Sequence, residues 1–178
     1  MSYWTQATPE QLKQLQSCCK GKVVLDIGGY DASLASKLID GGAKAVTVLD
    51  KERPTHEQNR YPAQINCQQQ TFEEFIHSDK RNWEVGVLSW PINNDYAMRP
   101  AIEILKRCKT VIYLGCNLDG TQCGTQLLWQ YLTTRKRITD KHERKNSLIT
   151  YSAEPRPPQQ QPTKEEAIGL KGTLEFSL

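Results

Sequence analysis

Residues 22–30 read Lys-Val-Val-Leu-Asp-Ile-Gly-Gly-Tyr, a nearly continuous apolar run closed by two glycines. Apolar runs of strand length without polar alternation suit a strand covered on both faces, as in the interior of a parallel sheet. The glycines permit a tight turn and let backbone approach a ligand closely. Alanine, serine and leucine return at helical spacing in ASLASKLIDGG (residues 32–42), with Gly41-Gly42 as the stop. The start of such a helix favours an anionic or polar group. A second buried strand, AVTVLD, ends in Asp50, a little over 20 residues after the glycine turn, where an acid accepts hydrogen bonds from both hydroxyls of a ribose. Turn and acid together point to an adenosine-containing ligand.

The same alternation extends in both directions. Thr8-Pro9-Glu10 reads as a helix start, with a hydroxyl cap, proline in the first turn and an acid behind it. Leu12 and Leu15 share a face of that helix, which is expected to end near Cys19. Downstream, QINCQ (64–68) is a third strand, TFEEFIHSD (71–79) a short helix and WEVGVLSW (83–90) a fourth strand. MRPAIEILKRC (98–108) is a helix, TVIYLGC (110–116) a fifth strand and TQLLWQYLTTR (125–135) a further helix. KRITDKH and SLITYSA, separated by Glu143-Arg144-Lys145-Asn146, then read as an antiparallel hairpin. Alternating strands and helices require a parallel sheet with helices on both faces. The expected fold is therefore α/β, a three-layer α/β/α arrangement around a mostly parallel sheet of about seven strands, with the hairpin at one edge. Residues 1–153 form the domain. EPRPPQQQPTKEE (154–166) is too rich in proline and glutamine to build a core, so residues 154–178 are a tail, in which LKGTLEFSL has the pattern of a short edge strand.

In this order the pieces resemble the class I S-adenosylmethionine-dependent methyltransferases, a Rossmann-like fold. KGKVVLDIGGYDASLA is similar to the first motif of that family, GAKAVTVLDKE to the second, INCQQQTFEEF to the third and VLSWPINN to the fourth, and RITDKHERKNSLITYSA to its reversed C-terminal hairpin. The resemblance covers residues 8 to 153. It implies S-adenosylmethionine as cofactor, held by Asp26, Gly28, Gly29 and Tyr30 at the first turn, by Asp50 with Lys51 at the ribose, and by Thr71 and Phe72 beside the adenine. Two departures stand out. The family's first motif carries further glycines where this chain has Tyr30 and Ala32, and its third often has an acid or amide where this chain has Thr71.

Ser89-Trp90-Pro91-Ile92 resembles the Asp/Asn/Ser-Pro-Pro-aromatic motif of enzymes that methylate exocyclic or amide nitrogens. The serine and second proline match; Trp90 and Ile92 replace the first proline and the aromatic. The resemblance implies Ser89, Pro91 and Asn93 as acceptor-positioning groups at the reacting centre, with Trp90 and Asn94 touching the substrate. The acceptor stays open among a nucleobase nitrogen, an amide and a small molecule. A catalytically inactive binding or regulatory protein on the same fold is the alternative. A nicotinamide enzyme is disfavoured, because it would want a fuller G-x-G-x-x-G than this chain has.

Composition sets the outer limits. No apolar run approaches the roughly 20 residues that span a bilayer, and MSYWTQATPEQLKQ has no secretory pattern, so a cytoplasmic location is expected. Cys18, Cys19, Cys67, Cys108, Cys116 and Cys123 contain no C-x-x-C, and His56, His77 and His142 are far apart. Reduced, mostly buried thiols and no metal are expected. The net charge of +3 is too small to imply nucleic acid by itself, but its distribution is uneven. Arg135, Lys136, Arg137, Lys141, Arg144 and Lys145 crowd the hairpin, as a solvated face or as a docking patch for phosphates.

Overall fold

A computed structural model describes residues 7–30, 32–52, 61–116, 123–143 and 146–155. The chain opens with α1 (Pro9–Cys19), whose start is fixed by a reciprocal cap. The Gln11 amide donates to Thr8 Oγ1 at 3.2 Å, and the Thr8 amide donates to Gln11 Oε1 at 3.1 Å. This satisfies two of the amides that a helix N-terminus otherwise leaves without partners. Then follow β1 (Val23–Ile27), α2 (Ser33–Asp40), β2 (Ala45–Asp50), β3 (Ile65–Gln69), α3 (Phe72–Ser78), β4 (Trp83–Ser89), α4 (Asp95–Leu105), β5 (Cys108–Cys116), α5 (Gln126–Thr133), β6 (Arg135–Glu143) and β7 (Asn146–Pro155).

The seven strands form one sheet in the order β3-β2-β1-β4-β5-β7-β6. Pairings from β3 through β5 are parallel; β7 runs antiparallel to both β5 and β6. Alternate residues of each central strand feed two separate cores. Val24, Val46, Val48, Val85 and Val87 pack with Leu15 of α1 and Leu38 of α2. Leu25, Ile27, Leu49 and Leu88 pack with Phe75, Met98, Ile104 and Leu128 of the helices on the other face. Burial on both faces explains why these strands read as unbroken apolar runs; each fully buried Val, Leu or Ile contributes about 1.5–3 kcal/mol.

Two expectations change. The helix after β4 begins at Asp95 rather than Met98, because Asn94 Oδ1 accepts from the Tyr96 amide at 2.9 Å and caps it earlier. Pro100 consequently lies inside the helix. The basic hairpin is not one patch. Arg135 is buried at the end of the sheet where β5 begins, its guanidinium donating to Tyr131 Oη (2.7 Å) and to the carbonyls of Ser152 (3.0 Å), Leu105 (2.8 Å) and Cys108 (3.0 Å). It is a structural anchor and is withdrawn from any phosphate surface. Lys136 and Arg137 are exposed near it, whereas Lys141 lies at the opposite end of the sheet. Arg144, Lys145 and residues 156–178 fall outside the described residues, as do Asp31 and His56.

Candidate functional site

The order β3-β2-β1-β4-β5 reverses direction between β1 and β4, so the crevice at their carboxyl ends is where an open α/β sheet binds its ligand. The last register pairs there are Ile27 with Leu49 on one side and with Leu88 on the other. One step further the chain enters the Gly28-Gly29-Tyr30 turn from β1 and reaches Ser89-Trp90 from β4.

The glycines do different work. Gly28 has φ +77°, and a Cβ there would meet nothing within 4 Å, so it serves conformation and leaves the outer face of the turn open. Gly29 serves packing: a Cβ would fall 2.3 Å from Asp26 Oδ2 and 2.8 Å from Val48 Cγ1. Asp26 is fully buried, so it supports the turn from beneath and does not line its open side. Among the described residues the non-glycine positions with positive φ are Tyr30 (33°), Ala32 (54°) and Trp90 (50°). All three lie just beyond β1 and β4. Left-handed backbone costs about 1–2 kcal/mol per residue, and such strain collects where a site over-determines the chain.

Asp50 ties the two turns together. Its Oδ2 accepts from the Tyr30 amide at 3.1 Å and its Oδ1 from the Glu52 amide at 2.8 Å. Burial pushes its pKa up, and these two backbone donors oppose that shift. An ionised carboxylate offers about four acceptor positions, so room remains on each oxygen for a hydroxyl. Lys51 beside it is exposed and pairs loosely with Glu52 at 3.9 Å. An adenosine-type ligand fits these residues: an open glycine turn for backbone contact and a carboxylate with spare acceptors one strand away.

The other expected residues divide. Thr71 is the N-cap of α3, accepting from the Glu74 amide at 3.2 Å and donating to Glu74 Oε2 at 3.1 Å, so its hydroxyl is already engaged. Phe72 is half-buried against the core. Ser89 borders a cavity of about 20 Å³ with Leu12, Ser33, Leu34, Lys37 and Leu114, room for about one water. The loop after it is pinned at its start. Trp90 donates its amide to Leu114 O at 2.6 Å, and buried Pro91 accepts from the Gly124 amide at 2.7 Å. Asn93 and Asn94 are exposed on the rim, Asn94 with its Oδ1 given to the cap of α4. Gly124 (φ +74°) and Tyr96 belong to this neighbourhood and were not anticipated. The Cys-Gly-Thr step before α5 and the Asn-Asp-Tyr step before α4 carried the signal, as a left-handed glycine and a capping pattern.

Cys19 and Cys108 are buried thiols whose pKa values burial pushes up to about 12, so they stay protonated and inert near neutral pH. Among the described residues no group of three or more His, Cys, Asp or Glu is arranged to hold a metal ion, and no helix is long and apolar enough to cross a membrane.

With this geometry in hand, comparison with solved structures is informative. The N-methyltransferase NodS from Bradyrhizobium japonicum WM9 superposes with a TM-score of 0.59 at 17% identity, over 80% of this chain and 94% of that one. The chain has the class I methyltransferase fold. An rRNA methylase from Streptococcus thermophilus matches at TM-score 0.55 and 11% identity, covering 83% of this chain and 98% of the other. A ribosomal protein L11 methylase from Lactobacillus delbrueckii subsp. bulgaricus matches at TM-score 0.55 and 17% identity, covering 80% and 77%. No protein-family model matches the sequence, and no curated protein matches it. Identities this low carry the fold alone.

Proposed function

We propose that this chain binds S-adenosylmethionine at the carboxyl ends of β1 and β2 and transfers its methyl group to a nitrogen acceptor held over β4. The observation that carries the reading is the Asp50 carboxylate joined to the Tyr30 amide at 3.1 Å across the glycine turn. Asp50 accepts the ribose hydroxyls, Gly28 admits the ligand to the backbone, Lys51 stands at the rim and Phe72 flanks the adenine. Asp26 and Gly29 position the turn from below. Thr71 contributes its place at the start of α3 more than its hydroxyl, which the Glu74 cap occupies.

The cofactor, when bound, supplies an activated methyl on a positively charged sulfur; the protein's task is alignment and exclusion of water. Pro91 and Trp90, pinned to Gly124 and Leu114, fix the height of the loop above β4. Asn93 and Asn94 offer amide groups on that loop to orient an acceptor nitrogen, and Ser89 backs them from the strand end. A neutral amine needs no strong base, so the lack of a His-Asp pair in the sequence is compatible with this chemistry. A cytoplasmic setting goes with the reading.

Thermal unfolding with S-adenosylmethionine, S-adenosylhomocysteine and NAD, titrated separately, tests it. At 100 times its dissociation constant a ligand adds about 2.7 kcal/mol and raises Tm by about 5–10 °C at this size. The two sulfur compounds are expected to shift the transition and NAD to leave it in place. Asp50→Ala is expected to weaken binding of both by about 1.5–3 kcal/mol. No shift with either sulfur compound would overturn the assignment.

One observation favours a second reading, a non-catalytic binding protein. Tyr30, 37% exposed and left-handed, replaces a family glycine at the mouth of the turn. Binding of the cofactor without turnover on any acceptor would support it.

A further inference from the structure

The net charge of +3 hides a division between the two ends of the sheet. At the carboxyl end Asp50, Glu52, Glu73, Glu74 and Asp95 outnumber Lys37, Lys51 and Arg99. The amino end has the opposite sign. Lys44 precedes β2 and Lys22 precedes β1, and the Lys44 amide donates to Lys22 O at 2.9 Å. Lys20 lies beside them, bridged to Ala43. Further along, Lys109 is the second residue of β5 and Lys136 the second of β6. Lys22 is half-buried and the other four are exposed.

Register sets these lysines in one line. Val23 pairs with Ala45, Val24 with Val85 and Trp83 with Cys108, so the heads of β2, β1, β4 and β5 are level. The start of β6 returns to that level, since Arg135 pairs with Pro155 of β7 while Thr110 of β5 pairs with Ser152. From β2 to β6 the sheet order counts five strand spacings, about 24 Å. Among the described residues none of the five lysines has an ion pair. The acids at this end are partly committed: Asp79 holds Arg81 at 2.5 Å and Glu103 holds Lys106 at 2.6 Å. That leaves Asp40 and Glu84, and Glu84 already accepts from the Val23 amide at 2.8 Å.

We propose that this amino-end row docks a nucleic-acid duplex by its phosphates, without reading bases. A line of uncommitted cations matches a linear polyanion, and an excess of one sign on one face draws the other to it. A duplex carries a phosphate about every 1.7 Å of its axis, so about seven base pairs lie along the row. An acidic polypeptide has no such regular charge. Among the described residues the exposed aromatic rings, Tyr30 and Tyr96, lie at the other end of the sheet. The row therefore has no platform for unstacked bases, which favours a duplex over a single strand. The five residues of β1, about 17 Å, separate the row from the glycine turn. Docking there leaves the crevice free and does not depend on what the crevice binds.

The test is fluorescence anisotropy of a labelled duplex of roughly 16 base pairs, as RNA and as DNA, with the full chain across a range of salt. Expected is a slope of log affinity against log salt of about −4.5, five contacts at about 0.9 each. Two double variants probe the ends of the row: Lys20→Gln with Lys44→Gln, and Lys109→Gln with Lys136→Gln. Each should make the slope shallower by about two, while Arg99→Gln at the carboxyl end leaves it unchanged. Saturating S-adenosylhomocysteine should leave duplex affinity as it is. All five substituted side chains are exposed, and far-ultraviolet circular dichroism of each variant guards against misfolding. Binding of either duplex with this pattern supports the docking surface, and the tighter of the two names the partner. Absence of duplex binding, a parent slope in either double variant, or an equal effect of Arg99→Gln overturns it. Preference for a single strand of the same sequence does so too, as does a change of affinity with S-adenosylhomocysteine, which would place the nucleic acid at the crevice. Polyglutamate that displaces the labelled duplex as well as unlabelled duplex does at equal charge would assign the row to an acidic protein instead.

Discussion

Asp50 condenses the site into one residue. Its carboxyl is held above the usual carboxylate range by burial, with the Glu52 and Tyr30 amides opposing the shift. A raised pKa means that protonating Asp50 favours the folded state. Its contribution to stability is therefore complete below the ordinary aspartate value and is lost as pH rises through the raised one. Ligand binding has the opposite dependence, because ribose hydroxyls donate to the ionised form. Affinity for S-adenosylhomocysteine is thus expected to fall on acidification, beginning above the usual carboxylate range, and Asp50→Asn should bind more weakly with a flat profile. Calorimetric titration across this range checks it; a parent profile as flat as that of Asp50→Asn would remove the carboxylate from the site. The acid was legible in the sequence from its spacing to the glycine turn. Its hydrogen bond to the Tyr30 amide was not, since spacing locates a strand end but not what an amide in the next turn points at.

At the level of the element, the turn between β1 and α2 shows how a motif is built from unlike parts. Gly29→Ala would drive a methyl into the buried Asp26 carboxylate and Val48, and overpacking of this kind costs about 1–3 kcal/mol. Gly28→Ala meets no atom but must hold φ near +77°, a backbone cost of about 1–2 kcal/mol. Urea unfolding should find both less stable. Both should also lose ligand affinity, Gly28→Ala by placing a methyl on the open face that admits the ligand and Gly29→Ala by displacing the Asp26 support beneath the turn. Undiminished affinity in Gly28→Ala would remove the outer face of the turn from the ligand site. Sequence predicted this element well, since a double glycine after an apolar strand has few other uses. It predicted the start of α4 three residues late, because the Asn94 cap decides it. Thr71 is a similar case: the resemblance points it at a ligand, whereas the Thr-x-x-Glu pattern completed by Glu74 spends its hydroxyl on a helix cap.

Across the whole molecule, the alternation of strands and helices was legible because each central strand is buried on both faces, and so was the reversed hairpin, because its turn is bracketed by two β-patterned runs. What one dimension concealed is how the charges of that hairpin divide between the two ends of the sheet. The 9 residues of β6 carry the run from Arg135 to Lys141 away from the end of the sheet where β5 begins, so charges near one another in sequence stand at different ends. Arg135 is the clearest case. Its guanidinium joins α5, β7, the end of α4 and the start of β5 through four donated bonds, and it lies over the Tyr131 ring at 5.5 Å. Arg135→Met keeps the apolar stem but leaves the Leu105 and Cys108 carbonyls without those bonds, an expected loss of about 2–5 kcal/mol. Lys136→Ala, on the exposed neighbour, should stay within about 0.5 kcal/mol of the parent. Chemical unfolding measures both. An Arg135→Met variant that kept the parent's stability would instead show that the four donated bonds contribute nothing and return Arg135 to the surface.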